Sequence, residues 1–452
     1  MTRGLRRSFT SLRVPNYRRY FAGQIVSLSG NWMQVVAEMW LILSLTGSGL
    51  AVGFTSALQF LPMLLFGAWG GLIADRFPKR SLLVVTQTFM AIPALILFGL
   101  TTAGIVAPWM VFALVFARGS INSIDNPTRQ SFAIEMVGSS RVVNAVSLNS
   151  VLIHSARILG PAGAGIVIAT LGVGPCFLIN ALSFAAMIVA LRRMESAELR
   201  PAPPASREPR AVRAGIGYVV RTPALAIPLG MMAVVGTLGF NFQVILPLLA
   251  RFSFDGNAAV YTSLAIAMGA GSVIGALVAG ARGRVGPGLL IGAAVGFGIA
   301  SLLAAAAPSL PLELLALIPL GAASVTFAAG INSSLQLAAE PAMRGRVMAL
   351  YSMVFLGSTP IGGPLTGWLS ESIDPRAGLV LAGAAGLAAA FGAHAAFRRH
   401  PSIEPRTAGS VPSRLAHPAT PRPAPNRRRR EAEEADARRA FDRDPARESA
   451  PA

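Results

Sequence analysis

The stretch Leu50–Ala103 reads LAVGFTSALQFLPMLLFGAWGGLIADRFPKRSLLVVTQTFMAIPALILFGLTTA, and its layout decides the fold. Two uncharged runs, Leu50–Ala74 and Ser81–Ala103, flank a short break that begins at Asp75 and Arg76 and ends at Lys79 and Arg80. Each run exceeds the roughly 20 residues that a helix needs to cross a bilayer core. The pair reads as two membrane helices joined by a tight charged loop.

The same pattern repeats in both directions. Helices are expected near 20–46, 50–74, 81–103, 107–127, 142–169 and 172–192, then near 223–250, 257–281, 286–307, 310–333, 344–371 and 375–397. Only 13% of the 452 residues are charged and 53% are hydrophobic. A soluble chain carries charge on about a quarter of its residues, so a soluble fold is excluded. Short alternating apolar and polar stretches are not evident, which argues against a membrane β-barrel. The expectation is an all-α membrane protein of twelve transmembrane helices.

A single cysteine, Cys176, rules out an internal disulfide framework, and no Cys/His spacing suits a metal. No metal and no cofactor is expected. The segment Met1–Arg19 is basic, like the start of a signal peptide, but the following apolar stretch is too long and lacks a small-residue cleavage pattern. It reads as a retained first helix.

The net charge of +19 invites a nucleic-acid reading, and the placement of the charge rejects it. Arginines crowd residues 3–19, recur at Arg76 with Lys79 and Arg80, at Arg129 and Arg141, across 192–221, at Arg282 and Arg284, at Arg344 and Arg346, and after Arg398. The intervening breaks near Gly47, Gly104, Gly172 and Pro308 carry no basic residue, and the other two carry only Arg251 and Arg376. Alternation of this kind is the positive-inside pattern. It places both termini and the middle loop in the cytoplasm and the protein in the cytoplasmic membrane.

The organisation that follows has five parts: a cytoplasmic segment at 1–19, a six-helix bundle at 20–192, a linker at 193–222, a second six-helix bundle at 223–397, and a basic tail at 398–452. Late in the linker, Val212, Ile216, Val219 and Val220 fall on one side and Arg210, Arg213 and Arg221 among the rest, as in an amphipathic helix on a membrane surface. The tail is rich in Pro, Ala, Arg and Glu and is expected to be disordered.

The halves repeat one another. Asn126–Gln130 aligns with Asn332–Gln336, Gly160-Pro161 with Gly363-Pro364, and Asn31-Trp32 with Asn241-Phe242. Repeated halves place a substrate path at their interface near the midplane, opened alternately to each side.

The break Gly70-Gly71-Leu-Ile-Ala-Asp75-Arg76-Phe-Pro-Lys79-Arg80 resembles the loop signature of the major facilitator superfamily, with Pro78 where that family often has Gly. A topogenic basic loop would explain the basic residues but neither Asp75 nor the glycines. The resemblance implies a conformational gate of Gly71, Asp75, Arg76, Lys79 and Arg80. In it Asp75 faces the start of helix eleven, and Lys79 reaches an acid at the inner end of helix four, where Asp125 stands. The second-half copy, Gly275–Arg284, lacks the aspartate.

Helix five carries Arg157-Ile-Leu-Gly160-Pro161-Ala-Gly163-Ala-Gly165, which resembles the superfamily's antiporter signature without its upstream glycine. Tight helix packing is the simpler reading of Gly160, Pro161 and Gly165. Leu45–Ser48, Asp125–Gln130 and Arg344–Met348 look like the branch that holds the enterobactin exporter and the macrolide-efflux proteins. That branch implies export of siderophores or amphipathic drugs using proton entry.

Three polar stripes lie within the membrane runs: Asn31, Gln34 and Glu38; Arg118, Asn122, Asp125 and Arg129; and Ser147, Ser150, His154 and Arg157. Helical spacing puts each on one face. With Asn149, Asn241 and Gln243, the residues Asn31, Gln34, Glu38 and Asn122 are the candidates for lining a substrate cavity. Glu38 is the first candidate for a proton-responsive group, with Arg118, Arg157 and His154 beside it. The alternative for Glu38 is permanent pairing with Arg118 or Arg157.

The expected function is secondary active transport: a proton-coupled antiporter exporting amphipathic small molecules, acting as a monomer, with protons and the lipid bilayer as its other partners and no nucleic acid. An importer of a small solute with the same fold and a non-transporting membrane scaffold are the alternatives. Enzyme chemistry lacks support, because no phosphate loop, metal set, Ser/His/Asp arrangement or close carboxylate pair is present.

Overall fold

The computed structural model describes residues 10–138, 142–195, 198–199, 211–281, 284–341, 343–400 and 406–407. Arg141, Arg210, Arg282 and the tail beyond Thr407 lie outside them, as do the side chains of Ser147, Ser150, His154, Val212, Arg213 and Arg284.

After a short turn at Thr10–Arg13 the first half holds α1 (Pro15–Thr46), α2 (Gly49–Arg76), α3 (Lys79–Thr102), α4 (Pro108–Val137), α5 (Val142–Leu171) and α6 (Gly174–Arg192). The linker helix α7 (Ala211–Arg221) leads into the second half. There α8 (Pro223–Leu238) and α9 (Phe242–Leu248) form one broken span that ends in a wider π-type turn, Leu249–Ser253. Next come α10 (Ala258–Ala281), α11 (Pro287–Ala305) and α12 (Leu310–Ala338). A second broken span, α13 (Arg344–Gly357) with α14 (Thr359–Ser372), precedes α15 (Ala377–Arg399).

Nine spans, among the described residues, are long and apolar enough to cross a membrane. Those outside that set are α1, α4 and the broken α13–α14 span. Two of these carry buried ionic residues, Glu38 on α1 and Arg118 and Asp125 on α4, and charged residues lower a span's hydropathy. The third is divided at Ser358, beside Pro360 and Pro364, which cannot donate to a helical ladder. All twelve spans belong to one all-α membrane fold of two six-helix bundles.

The chain turns sharply where glycine allows. Gly47 closes α1 at φ 65°, donating its N–H to Leu43 O, and Ser48 opens α2 by accepting from Ala51 N. A residue with a Cβ disfavours that left-handed geometry, so one residue ends a helix and the next begins another.

Packing obeys the repeat. In the first half α2 packs on α4, α3 on α6 and α1 on α6; in the second, α10 packs on α12, α11 on α15 and α8 on α15. The halves meet through α2 against α14 and α5 against α10, which exchange with each other when the halves are swapped. Large apolar side chains such as Trp69, Trp109, Ile166, Leu182, Leu277 and Phe391 stand on the outside, where lipid rather than water suits them.

The end of the bundle with the short turns at Gly47, Gly104 and Gly172 is called the loop end below. The end with Phe77-Pro78 and the linker helix is the linker end.

Candidate functional site: ionic networks inside the first bundle

Glu38 is fully buried, and its carboxylate is held from two sides. Arg118 Nη2 donates to Oε2 at 2.6 Å, and Gln34 Nε2 donates to Oε1 at 2.7 Å. The network runs on: Asn180 Nδ2 donates to Gln34 Oε1, Ser183 Oγ donates to Asn180 Oδ1 at 2.9 Å, and Arg118 Nη1 donates to Asn31 Oδ1 at 3.0 Å. Helical spacing on α1 stacks Asn31, Gln34 and Glu38 on one face, and α4 and α6 supply the partners. A charge at mid-membrane costs about 2.5–3.5 kcal/mol on insertion scales, so a pair with extra donors offsets a cost that neither charge bears alone.

A second network lies nearer the linker end. Asp125 Oδ1 accepts from Thr86 Oγ1 at 2.6 Å and from Gln87 Nε2 at 2.8 Å, and its other oxygen is paired with Arg129 one turn along α4. Arg129 also donates to Gln24 Oε1, and Gln24 Nε2 contacts the Tyr20 hydroxyl at 2.6 Å. Three helices, α1, α3 and α4, are thereby tied together.

The charged loop takes an unexpected partner. Lys79 pairs with Glu135, not Asp125. Asp125 is already held by Arg129, Thr86 and Gln87, and Glu135 lies almost three turns further along α4, level with the loop. Arg80 donates from Nε to Leu191 O at 2.8 Å and from Nη2 to Arg192 O at 2.7 Å, closing the end of α6. Cations suit that end because its last carbonyls are unpaired and carry the negative pole of the helix. Asp75 is half-buried in the last turn of α2 and Arg76 is exposed beside it. Of the paired glycines Gly70 and Gly71, Gly70 meets α4 backbone to backbone, with a Cβ there 2.8 Å from the Ser123 carbonyl carbon.

Arg157 takes neither Glu38 nor any other acid among the described residues. Its guanidinium carbon lies 5.2 Å from the centre of the Trp32 ring, and its Nε is buried without a hydrogen-bond partner. Three residues on, a Cβ on Gly160 would lie 2.8 Å from Ser29 O, so Gly160 and Pro161 seat α5 closely on α1. Gly165 faces Thr262 of α10 in the other half. Asn122 and Asn149 are half-buried. Asn241 and Gln243 flank the break between α8 and α9; Asn241 Nδ2 donates to Thr237 O at 2.8 Å, while Asn241 Oδ1 and Gln243 Oε1 are buried without donors.

The tightest approaches between the halves cluster at the loop end. Gly49 and Gly53 of α2 meet Gly363 and Gly367 of α14 through backbone, and Trp40 stacks on Tyr261 at 6.1 Å and 20°. Glu371 accepts from Ser48 Oγ at 2.7 Å and from Leu50 N at 2.9 Å, capping α2 from the other half.

The model of one protein family, described as transmembrane secretion effector, matches residues 6–417. The chain belongs to this family of the major facilitator superfamily. Relatives of the chain include the staphyloferrin A transporter of Staphylococcus aureus, 24% identical over 57% of this chain and 65% of that protein. The alignment therefore spans less than two thirds of that relative. The enterobactin exporter of Escherichia coli is 24% identical over 80% of this chain and 87% of its own. A crystal structure of the nucleoside transporter NupG shares the fold, with a TM-score of 0.66 and 14% identity over 85% of this chain and 99% of that one. Family and fold are those of transporters rather than enzymes.

Four polar residues that the structure places in these networks, at the seam or buried in a span escape a reading of the sequence: Glu135, Asn180, Glu313 and Glu371. Glu313 is fully buried in the first turn of α12, with neither carboxylate oxygen hydrogen-bonded. A lone acid or amide in an apolar run has no periodic companion to mark it, and the signal available was only its cost in lipid.

Proposed function

We propose that the protein is a proton-coupled antiporter that exports amphipathic small molecules from the cytoplasm by alternating access. The observation that carries this reading is the Glu38–Arg118 pair, buried within the membrane span and connected through polar side chains to α6. Protonation of Glu38 would neutralise one partner and release Arg118, which changes how α1, α4 and α6 are held together. A carboxylate that gains and loses a proton as the bundle reopens can couple export to proton entry.

The name of one relative, the enterobactin exporter, supports the direction of transport. The basic linker end supports placing both termini in the cytoplasm. With α2 and α14 zipped at the loop end, the present state would open its cavity inward. The charged loop, with Asp75, Arg76, Lys79 and Arg80, would then hold and release the linker end, with Glu135 in the place first given to Asp125.

Efflux from loaded, inverted vesicles, measured across a compound panel with and without a protonophore, tests the proposal. Export of at least one amphipathic compound that collapses with the gradient is expected. Import, or efflux indifferent to the gradient, would overturn it.

A further inference from the structure

We infer that Arg157, backed by the Trp32 ring, is the anion-binding subsite of the cavity, and that the transported molecule carries a carboxylate or an equivalent oxyanion. This deepens the export reading and rests on it only for what is carried across.

The argument is one of charge. Within the first bundle Glu38 is bound to Arg118, Asp125 to Arg129 and Glu135 to Lys79, so each of these acids already has its base. Arg157 has no acid within ion-pair distance among the described residues, and its Nε has no acceptor at all. Its ring partner is a π-face, which attracts the cation but accepts none of its N–H bonds in their plane. A guanidinium offers five donors in a planar fork, the shape that takes a carboxylate through two parallel bonds. Left empty, that fork is an uncompensated cation inside a membrane protein, and an incoming anion supplies what the fold omits.

Its position suits a carried ligand. The backbone of Arg157 lies against Gly269 of α10, on the seam between the two halves. Gly160 and Pro161 follow one turn later, so a bend there moves the guanidinium. From the other half, α9 packs on α1; Gln243 Oε1 on α9 and Asn241 Oδ1 just before it are buried acceptors without donors.

The test uses the purified full chain in nanodiscs and three probes that differ only in the polar head: pyrenebutyrate, pyrenebutanol and pyrenebutylamine. The wild type is expected to bind the carboxylate about tenfold more tightly than the alcohol or the amine. Arg157→Gln should erase that preference, while Arg157→Lys, which keeps the charge without the fork, should keep part of it. Binding of all three alike, binding of none, or a preference that survives in Arg157→Gln would overturn the assignment. A merely structural arginine would lower all three affinities together. Repeating the titration with phosphatidylglycerol in the disc separates sources of anion: unchanged carboxylate affinity is expected, and its loss would reassign the fork to a lipid headgroup. Vesicle efflux failing while the binding preference stands would sink the export reading alone.

Discussion

Glu38 on α1 and Arg118 on α4 meet at 2.6 Å, with side chains 0% and 4% exposed, and Gln34 and Asn31 complete the arrangement from the same face of α1. An ion pair of this kind contributes little net stability, because desolvating both charges roughly cancels their attraction. Breaking it is another matter, since the remaining charge stays buried and unpaired.

Glu38→Gln is therefore expected to destabilise the protein by about 3–5 kcal/mol and to make efflux independent of the pH gradient. Arg118→Gln should destabilise similarly. The double variant should lose less than the two singles together, because no charge is left stranded. Thermal unfolding in detergent and gradient-driven efflux check both halves of this statement. Unaltered gradient dependence in Glu38→Gln would mean that another group carries the proton.

Asp75→Asn should insert and fold normally yet impair transport, which a surface-expression assay beside an efflux assay resolves. Wild-type efflux in that variant would remove Asp75 from the gate.

Charge reversal of the loop pair gives a separate check. Lys79→Glu and Glu135→Lys should each reduce transport, and the two combined should recover much of it, because the ion pair is restored in reverse. If the combination is no better than either single change, the pair has no part in gating.

Gly53→Leu should force α2 and α14 apart, since a Cβ there would lie 2.8 Å from the Gly363 carbonyl carbon. A lower unfolding temperature and a wider loop end are expected. Glu371→Gln should loosen the same end more mildly, by about 1 kcal/mol, because it weakens two hydrogen bonds without adding bulk. An unfolding temperature equal to wild type in Gly53→Leu would show that the glycine contact is not essential.

The architecture was legible because lipid imposes it: runs of apolar residues set the spans, and the repeat at Asn126–Gln130 and Asn332–Gln336 set the halves. The stripe on α1 was legible too, since Asn31, Gln34 and Glu38 share a face by spacing alone. Which residue each stripe meets was not. Lys79 finds Glu135 because α4 continues to Val137, well past the end expected near residue 127, so the inner end of that helix lies elsewhere. The breaks at Gly239–Asn241 and Ser358 were also missed, because apolar runs continue across them. Pairing depends on the rotation and register of helices distant in sequence, which periodicity does not encode.

The most direct test of two bundles closing opposite ends in turn is a pair of spin-label distances in a Cys176→Ser background. One reports the loop end, from Leu50 to Ile373, and the other the linker end, from Phe77 to Glu340. Shifting from resting to substrate-loaded, gradient-energised membranes should lengthen the first and shorten the second. Distances that stay fixed, or that move together in one direction, would contradict alternating access in this protein.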